Sequence, residues 1–155
     1  MAKGNRDKSR EEIRIRNTAE SYLKIIRDDD RALKGKKDEL DALRYRASGA
    51  GAIRYDKDHV QTSPQDYLSM AMDDIVRIEK EILEMEADVE KMKGSAYAII
   101  RKLHQDDHRT ILEWYYLNGL SMSNTAERMN IAERTAYYLR EDALESFGRM
   151  IKGVV

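Results

Sequence analysis

The sequence has 155 residues, no cysteine, one proline and a formal net charge of −1. Because cysteine is absent, the chain can form neither a disulfide framework nor a thiolate zinc site, which is consistent with a reducing cytoplasm. The N-terminus, MAKGNRDKSREE, lacks the apolar core of a secretory signal, and nowhere do apolar residues run long enough to span a membrane. We therefore expect a cytoplasmic helical protein consisting of one domain with a helical extension.

The first helix is expected to follow a basic N-terminal segment. Residues 1–16 contain Arg6, Lys8, Arg10, Arg14 and Arg16. We interpret this segment as a flexible, solvated tail, and a DNA-binding arm is the alternative. A heptad phase then predicts a helix from about Asn17 to Arg46, with an apolar stripe of Ala19, Tyr22, Ile26, Leu33, Leu40, Leu43 and Ala47. The polar residues Asp29 and Lys36 fall on the same stripe.

The second helix is marked by its start. Ser63, Pro64 and Asp66 supply a cap, a first helical residue and an acidic group in the first turn. The connection before it, residues 47–63, is long and has no clear element of its own, so it is a candidate contact surface. The apolar stripe of the second helix, with spacings of three and four, comprises Leu68, Ala71, Ile75, Ile78, Ile82, Met85, Val89, Met92, Ala96, Ile99 and Leu103.

The simplest arrangement of these helices is a long antiparallel, coiled-coil-like hairpin over residues 17–102. Intramolecular packing is the preferred interpretation, and a homodimeric coiled coil or a groove for a partner are the alternatives. The residues expected to pack across the hairpin are Ile75, Ile82 and Val89 on one side and Tyr22, Ile26, Leu33 and Leu40 on the other.

The C-terminal segment, residues 103–155, has the spacing of three helices joined by two short turns, as in a helix-turn-helix module. Ser121 or Ser123 can cap a short helix, and Ala126 is small enough for a tight helix crossing. Asn130 tolerates the left-handed conformation of a turn that Ile131 anchors. The predicted fold is therefore all-α, with the long hairpin followed by a three-helix module.

The last helix is predicted to start at about Glu133. Spacing places Arg134, Tyr137, Tyr138 and Glu141 on its outward face. The inward positions are Ala136, Leu139 or Arg140, Ala143, Phe147 and Met150. The residues expected to be mostly buried in the module are Leu112, Tyr116, Ala126, Ile131 and Leu139.

A particular order of residues runs through this module: Leu112, Tyr116, Gly119, Leu120, Ser121, Ala126, Glu127, Ile131, Glu133, Arg134, Thr135, Ala143 and Leu144. This order resembles region four of bacterial sigma factors. Upstream, YDKDHVQTSPQD (Tyr55 to Asp66) and the long heptad helix after it are similar to sigma-factor-like regulators encoded by phages of Gram-positive bacteria. The similarity covers roughly residues 55–149, and it departs from the family at Ala132, where a capping serine is common.

The resemblance implies a phage-type, DNA-binding transcription regulator that acts with host RNA polymerase at a late-gene promoter, with no enzymatic activity and no cofactor. Arg134, near the start of the last helix, would contact a base edge or a phosphate. Thr135 and the tyrosine hydroxyls would contact phosphates, and Arg140 the backbone farther along. The residues expected at double-stranded DNA are Ser123, Arg134, Thr135, Tyr137, Tyr138 and Arg140.

Charge is distributed unevenly along the chain. Lys and Arg against Asp and Glu number 16 to 12 over residues 1–62, 6 to 9 over residues 63–103 and 6 to 8 over residues 104–155. An acidic module gains little from neutralising phosphates, so the module alone should bind DNA weakly. Recruitment by polymerase, or oligomerisation through the heptad helix, would supply the missing effective concentration.

The sequence contains no complete catalytic or metal-binding motif. His104 and His108 stand four apart and are expected to share a helix face, but Gln105 occupies the position where a zinc protease has its glutamate. The run from Asp28 to Asp30 is interpreted as a solvated helix face, because no glycine-rich phosphate loop accompanies it. We therefore expect neither an enzyme nor a metal site.

Two other function classes stay open. A small terminase subunit, the DNA-packaging component of phages, also combines a helix-turn-helix with helical hairpins, but it usually carries its DNA module first. A helical adaptor that binds only protein is the third class, and the acidic balance of the C-terminal module favours it.

Overall fold

The computed structural model describes residues 2–49 and 64–154, which are mostly helical with no β-strand among them. The prediction of an all-α protein is confirmed for this part of the chain. The five helices are α1 (Ala2–Ala47), α2 (Pro64–Ile100), α3 (Asp106–Leu112), α4 (Met122–Met129) and α5 (Glu133–Val154). A π-helical turn, Glu113–Leu117, extends α3.

Contacts divide the described residues into two compact units. Unit 1 contains residues 2–30 and 89–154, and unit 2 contains residues 31–49 and 64–88. The two long helices each contribute to both units. The remaining helices, α3, α4 and α5, belong to unit 1.

Unit 2 is a pair of antiparallel helix segments. Lys37 pairs with Glu86 at 2.7 Å and Arg44 with Glu79 at 2.5 Å, so a step of seven residues forward in α1 matches a step of seven back in α2. These pairs are exposed and contribute little stability. Burial of apolar side chains contributes more. The buried apolar residues of this unit are Leu33 and Leu40 from α1 and Ile75, Ile78 and Ile82, the buried stripe of α2.

Two residues on the predicted stripes of unit 2, Lys36 and Leu68, are not buried in its apolar interior. Lys36 is half-buried and its ammonium lies 3.0 Å from the Glu81 carboxylate, a hydrogen bond that lowers the pKa of Glu81 and raises the pKa of Lys36. Leu68, predicted to be buried, is exposed. In the register of the ion pairs, the last residue of α1, Ala47, lies opposite Val76, so α1 does not reach Leu68.

Unit 1 has one hydrophobic core to which every one of its helices contributes. Because α1 and α2 supply part of this core, the three C-terminal helices do not enclose it by themselves. The members are Ala19, Leu23 and Ile26 of α1, Ala96 and Ile100 of α2, and Leu103, Ile111, Leu112, Tyr116, Leu117, Met122, Ala126, Ala136, Ala143, Leu144 and Phe147.

The helix α1 begins at Ala2, earlier than the predicted start at Asn17. The prediction that Tyr22 belongs to the buried stripe of α1 is wrong. Leu23 is fully buried instead, whereas Tyr22 is 36% exposed and its ring contacts that of Phe147. The buried positions Ile15, Ala19, Leu23 and Ile26 are spaced four, four and three residues apart. That is an eleven-residue repeat, which a nearly straight helix follows better than a heptad does.

The polar residue on the buried side of α1 is Asp30, not Asp29 as the heptad predicted. Asp30 is 7% exposed and accepts a hydrogen bond from Lys93 of α2 at 2.9 Å. The expectation that Asp28 to Asp30 form a solvated face is therefore wrong for Asp30. Its carboxylate is buried together with a cationic partner, as a buried charge requires.

The N-terminal half of α1 also lies against α5. Arg16 pairs with Glu141 at 3.6 Å, and Lys152 donates a hydrogen bond to Glu11, which lowers the pKa of that carboxyl. A Cβ atom built on Gly148 would lie 2.5 Å from Ile15 Cγ2 and 2.6 Å from the Ile15 carbonyl oxygen. Only glycine allows α1 and α5 to approach this closely.

The second helix begins at Pro64 as expected and continues through Gly94 and Ser95 to Ile100. Residues 50–63 lie outside the described part of the chain, and with them most of the predicted contact loop and the expected cap at Ser63. The expected stripe is buried in unit 1 at Val89, Ala96 and Leu103.

Candidate nucleic-acid interface

The helix α4 is held by a side-chain cap. Ser121, rather than Ser123, is the N-cap, and its hydroxyl accepts a hydrogen bond from the Asn124 backbone N–H at 3.1 Å. Thr125, fully buried, donates its hydroxyl to the Ser121 carbonyl at 2.8 Å. The cap satisfies an N–H group that a helix start would leave without a partner. Ser123 is left exposed in the first turn of the helix.

The turn after α4 depends on Asn130. This residue has φ 57° and ψ 43°, the left-handed conformation predicted for it. The Asn130 N–H donates to the Glu127 carbonyl and the Ile131 N–H to the Ala126 carbonyl, each at 3.0 Å. These two bonds form a Schellman motif, which ends one helix and redirects the chain within three residues. The next helix, α5, begins at Glu133 as expected.

The expected core of the C-terminal helices is largely confirmed. Leu112, Tyr116 and Ala126 are buried, and Ile131 and Leu139 are half-buried against the same core. The inward positions of α5 are also confirmed. Ala136, Ala143 and Phe147 are fully buried, and Leu139, Arg140 and Met150 are half-buried.

The first turns of α5 present polar and aromatic side chains to solvent. Arg134 and Thr135 are exposed, and Tyr137 and Tyr138 are 44% and 56% exposed. Arg134 donates a hydrogen bond to the Tyr138 hydroxyl at 3.4 Å, and its guanidinium carbon lies 5.9 Å from the centre of that ring. We call Arg134, Thr135, Tyr137 and Tyr138 the α5 face. Ser123 lies on α4 and is not part of it.

Arg140, also expected at DNA, lies in a different environment. It is half-buried, with its guanidinium carbon 5.6 Å from the centre of the Tyr115 ring and 5.4 Å from that of Tyr137. Cation–π contacts of this kind fix the position of a guanidinium. Arg140 therefore supports Tyr137 from below the α5 face.

Sequence reasoning missed Arg27, which lies on α1. Its guanidinium carbon lies 4.0 Å from the centre of the Tyr115 ring, the ring that Arg140 also contacts. The Arg27 guanidinium also donates hydrogen bonds to the carbonyl oxygens of Tyr115 and Leu120, the latter at 3.0 Å. Leu120 immediately precedes the cap of α4. The only available signal was a lone arginine beside the apolar stripe of α1, and such a residue is usually solvated.

The π-helical turn contains a buried phenol. Tyr116 meets Tyr115 edge to face at 4.8 Å between ring centres, and its hydroxyl has no hydrogen-bond partner among the described residues. Burial raises the pKa of this hydroxyl well above its usual value of 10.0. Tyr116 therefore stays neutral and acts as an apolar core residue.

Helices α4 and α5 also carry acidic side chains. Glu127, Glu133 and Asp142 are exposed, and Glu141 is engaged by Arg16. Farther along α5, hydrogen bonds to the Glu145 carboxylate raise the pKa of Arg149. The charge of these helices is therefore mixed rather than strongly positive.

The two histidines do not share a helix face, because His104 precedes α3. His108 is buried in α3, with Nδ1 3.1 Å from the Ser146 hydroxyl oxygen. Within residues 2–49 and 64–154 no three His, Cys, Asp or Glu side chains are grouped so that they could hold a metal ion. Of the helices described, none contains a stretch long and apolar enough to cross a membrane.

Comparisons with known proteins identify a family. Among curated proteins and among solved structures, nothing matches the chain significantly. One family model matches residues 51–147, which include all of α2, α3 and α4 and the α5 face. The chain therefore belongs to the family described as Protein of unknown function (DUF1492).

Proposed function

We propose that the protein is a phage-type, sigma-factor-like transcription regulator, in which α4 and α5 act as a helix-turn-helix and α5 enters the major groove of DNA. It acts with bacterial RNA polymerase at a late-gene promoter. The support comes from the resemblance of residues 55–149 to such regulators and from the geometry of the C-terminal helices.

The observation that carries the proposal is the Schellman turn at Asn130 followed directly by the α5 face. A recognition helix contacts bases with residues of its N-terminal turns. Arg134 and Thr135 occupy those turns, and Tyr138 lies one turn farther on. An exposed arginine there suits a base edge or a phosphate, and the phenol and hydroxyl groups suit phosphates.

The charge of the whole of unit 1 favours DNA more than that of the C-terminal helices alone. Over residues 1–30 and 89–155, Lys and Arg number 18 against 16 Asp and Glu, whereas residues 104–155 have 6 against 8. The excess is still small, so counterion release can supply only modest affinity. We therefore propose that polymerase recruits the protein to the promoter and that the α5 face adds specificity.

The experiment measures DNA retention by the full chain. Fragments of the genome that encodes the protein are mixed with it, with and without RNA polymerase, and the retained DNA is sequenced. The proposal expects one or a few promoter-containing fragments, retained more strongly when polymerase is present. Absence of any enriched fragment in both arms would refute it.

A pair of matched variants assigns the retention to the α5 face. Arg134→Ala removes a positive charge there, and the loss of a base contact would cost about 1–3 kcal/mol of binding free energy. Arg77→Ala removes the same charge from unit 2, where Arg77 is exposed. Retention that falls equally in both variants would show that net charge, not the α5 face, carries the binding.

A protein-binding adaptor is the second candidate function. It is favoured by the exposed carboxylates Glu127, Glu133 and Asp142, which would repel phosphates but suit a basic protein surface. The same mixture separates the two candidates. Polymerase binding without enriched DNA, unaffected by Arg134→Ala, supports the adaptor.

A further inference from the structure

Unit 2 carries a second apolar stripe on α2, beside the buried one. Leu68, Met72, Val76 and Leu83 are 48%, 51%, 61% and 67% exposed. Spacings of four, four and seven residues place them along one side of the helix. Exposed apolar residues aligned on one side of a helix mark an interaction site more often than scattered single residues do. We call these four residues the exposed stripe.

Two opposite charges lie along one edge of the exposed stripe. Asp73 and Lys80 are exposed, and neither forms an ion pair within residues 2–49 and 64–154. Their neighbour Arg77, by contrast, is paired with Asp74 at 3.3 Å and Glu81 at 3.4 Å. Because Asp73 and Lys80 are seven residues, or two helical turns, apart, they lie on the same side of α2. Asp73 is next to Met72, and Lys80 lies between Val76 and Leu83 along the helix.

We propose that the exposed stripe binds a second copy of the same chain, with the two α2 helices antiparallel and a two-fold axis at Val76. Residues equally far from Val76 on either side meet across such an axis. To within one residue, Leu68 packs against the partner's Leu83, and Asp73 pairs with the partner's Lys80. By symmetry Lys80 pairs with the partner's Asp73.

The charges select both this occupant and this orientation. A parallel pair would place Asp73 beside the partner's Asp73 and Lys80 beside the partner's Lys80, and like charges so placed repel. The antiparallel pair converts both repulsions into attractions. Met72 then lies over the aliphatic stem of the partner's Lys80, which can cover apolar surface while its ammonium reaches the carboxylate. The surface is thus complementary to itself, as a two-fold interface requires.

Single cysteines test the geometry directly, because the natural chain has none. Val76→Cys places two thiols at the axis, where mild oxidation should give a disulfide-linked dimer. In the same dimer, the thiols of Leu83→Cys would be about 21 Å apart and those of Ala87→Cys about 33 Å apart, too far to bond. Equal cross-linking of Leu83→Cys and Val76→Cys would overturn the antiparallel arrangement. Cross-linking of Val76→Cys no faster than Ala87→Cys would overturn the dimer.

Charge variants test the selection of the partner. In sedimentation equilibrium we expect a dimer whose dissociation constant rises about tenfold or more in Lys80→Asp, since two attractions become repulsions. The swap of both charges, Asp73→Lys with Lys80→Asp, should restore it. A double variant as weak as the single one would contradict the pairing, and a wild-type protein that is monomeric up to about 100 µM would overturn the proposal.

A pair of substitutions at adjacent positions distinguishes binding of a second copy from folding of the chain. Leu83→Asp should give a monomer with unchanged helical circular dichroism, because Leu83 is exposed. Ile82→Asp should lose helicity, because Ile82 is 7% exposed in the buried stripe and a charge there is costly. Loss of helicity in Leu83→Asp would overturn the assignment of Leu83 to a surface that is free to bind a second copy. The inference does not rest on the proposed function, and none of these measurements involves DNA.

Discussion

The guanidinium carbon of Arg27 lies 4.0 Å from the centre of the Tyr115 ring, and 88 residues separate the two positions in the chain. Through this contact α1 holds the π-helical turn that leads into α4. The hydrogen bond from Arg27 to the Leu120 carbonyl, at 3.0 Å, fixes the residue just before the α4 cap. A residue of the first helix therefore helps to position the α5 face.

Replacement of Arg27 should destabilise unit 1. Arg27→Ala removes charge-assisted hydrogen bonds and a cation–π contact, and we expect a loss of about 2–4 kcal/mol in the free energy of unfolding measured by urea denaturation. Arg27→Lys should recover only part of this, because an ammonium cannot reproduce the planar guanidinium contacts. The control is Arg31→Ala, at an exposed position. Similar losses for Arg27→Ala and Arg31→Ala would contradict the role assigned to Arg27.

Two glycine substitutions should change stability in opposite directions. Gly148→Ala introduces a Cβ that would overlap the Ile15 backbone, and we expect a loss of about 1–3 kcal/mol. Gly94→Ala adds a Cβ that meets nothing within 4 Å at a position inside α2, and it should stabilise the protein by about 0.5–1 kcal/mol. Thermal melts of both variants check the pair. A wild-type melting temperature for Gly148→Ala would mean that α1 and α5 are not in such close contact.

Enlarging Ala126 should disrupt the packing of α4 against the core. Ala126 is 2% exposed, so Ala126→Leu forces side chains or backbone apart at a cost of about 1–3 kcal/mol. Ala98→Leu, at an exposed position of α2, adds the same volume without this cost. Denaturation midpoints of the two variants should differ clearly. Equal midpoints would rule out a tight crossing at Ala126.

The raised pKa of Tyr116 predicts a loss of stability in alkaline solution. A phenol whose pKa is higher in the folded state stabilises the fold fully below its ordinary value of 10.0. That contribution is lost as the pH rises from there toward the pKa of the folded state, by up to about 1.4 kcal/mol per pH unit. Tyr116→Phe should reduce this dependence between about pH 10 and 11.

The same variant tests the hydroxyl at neutral pH. Since the buried hydroxyl of Tyr116 has no hydrogen-bond partner among the described residues, its removal should leave the free energy of unfolding within about 1 kcal/mol of the wild type, or raise it. A larger loss at pH 7 would show that the hydroxyl is hydrogen-bonded in solution. An unchanged alkaline dependence in Tyr116→Phe would assign that dependence to other groups.

Local sequence signals were sufficient for much of the C-terminal region. The left-handed Asn130 and the start of α5 at Glu133 follow from residues within a few positions of each other, whereas the choice of Ser121 over Ser123 as the cap of α4 came from the structure. The inward and outward faces of α5 follow from its helical period, so the exposure of Arg134 and Tyr138 was predictable. Each of these features is decided by steric and hydrogen-bonding preferences that act within one or two turns of helix.

Only the tertiary structure decided how α1 is used. Between Ala19 and Ile26, a heptad repeat and an eleven-residue repeat differ only in whether Tyr22 or Leu23 is the buried position. The sequence alone fits both choices, and the neighbouring helices select Leu23. The contacts of Arg27 with Tyr115 and of Ile15 with Gly148 join residues far apart in the chain, so no local period indicates them. The periodicity of the sequence thus indicated most of the helical segments, although not residues 2–16 of α1. The shared core of unit 1 determined which side of each helix is buried, because burial depends on the other helices that pack there.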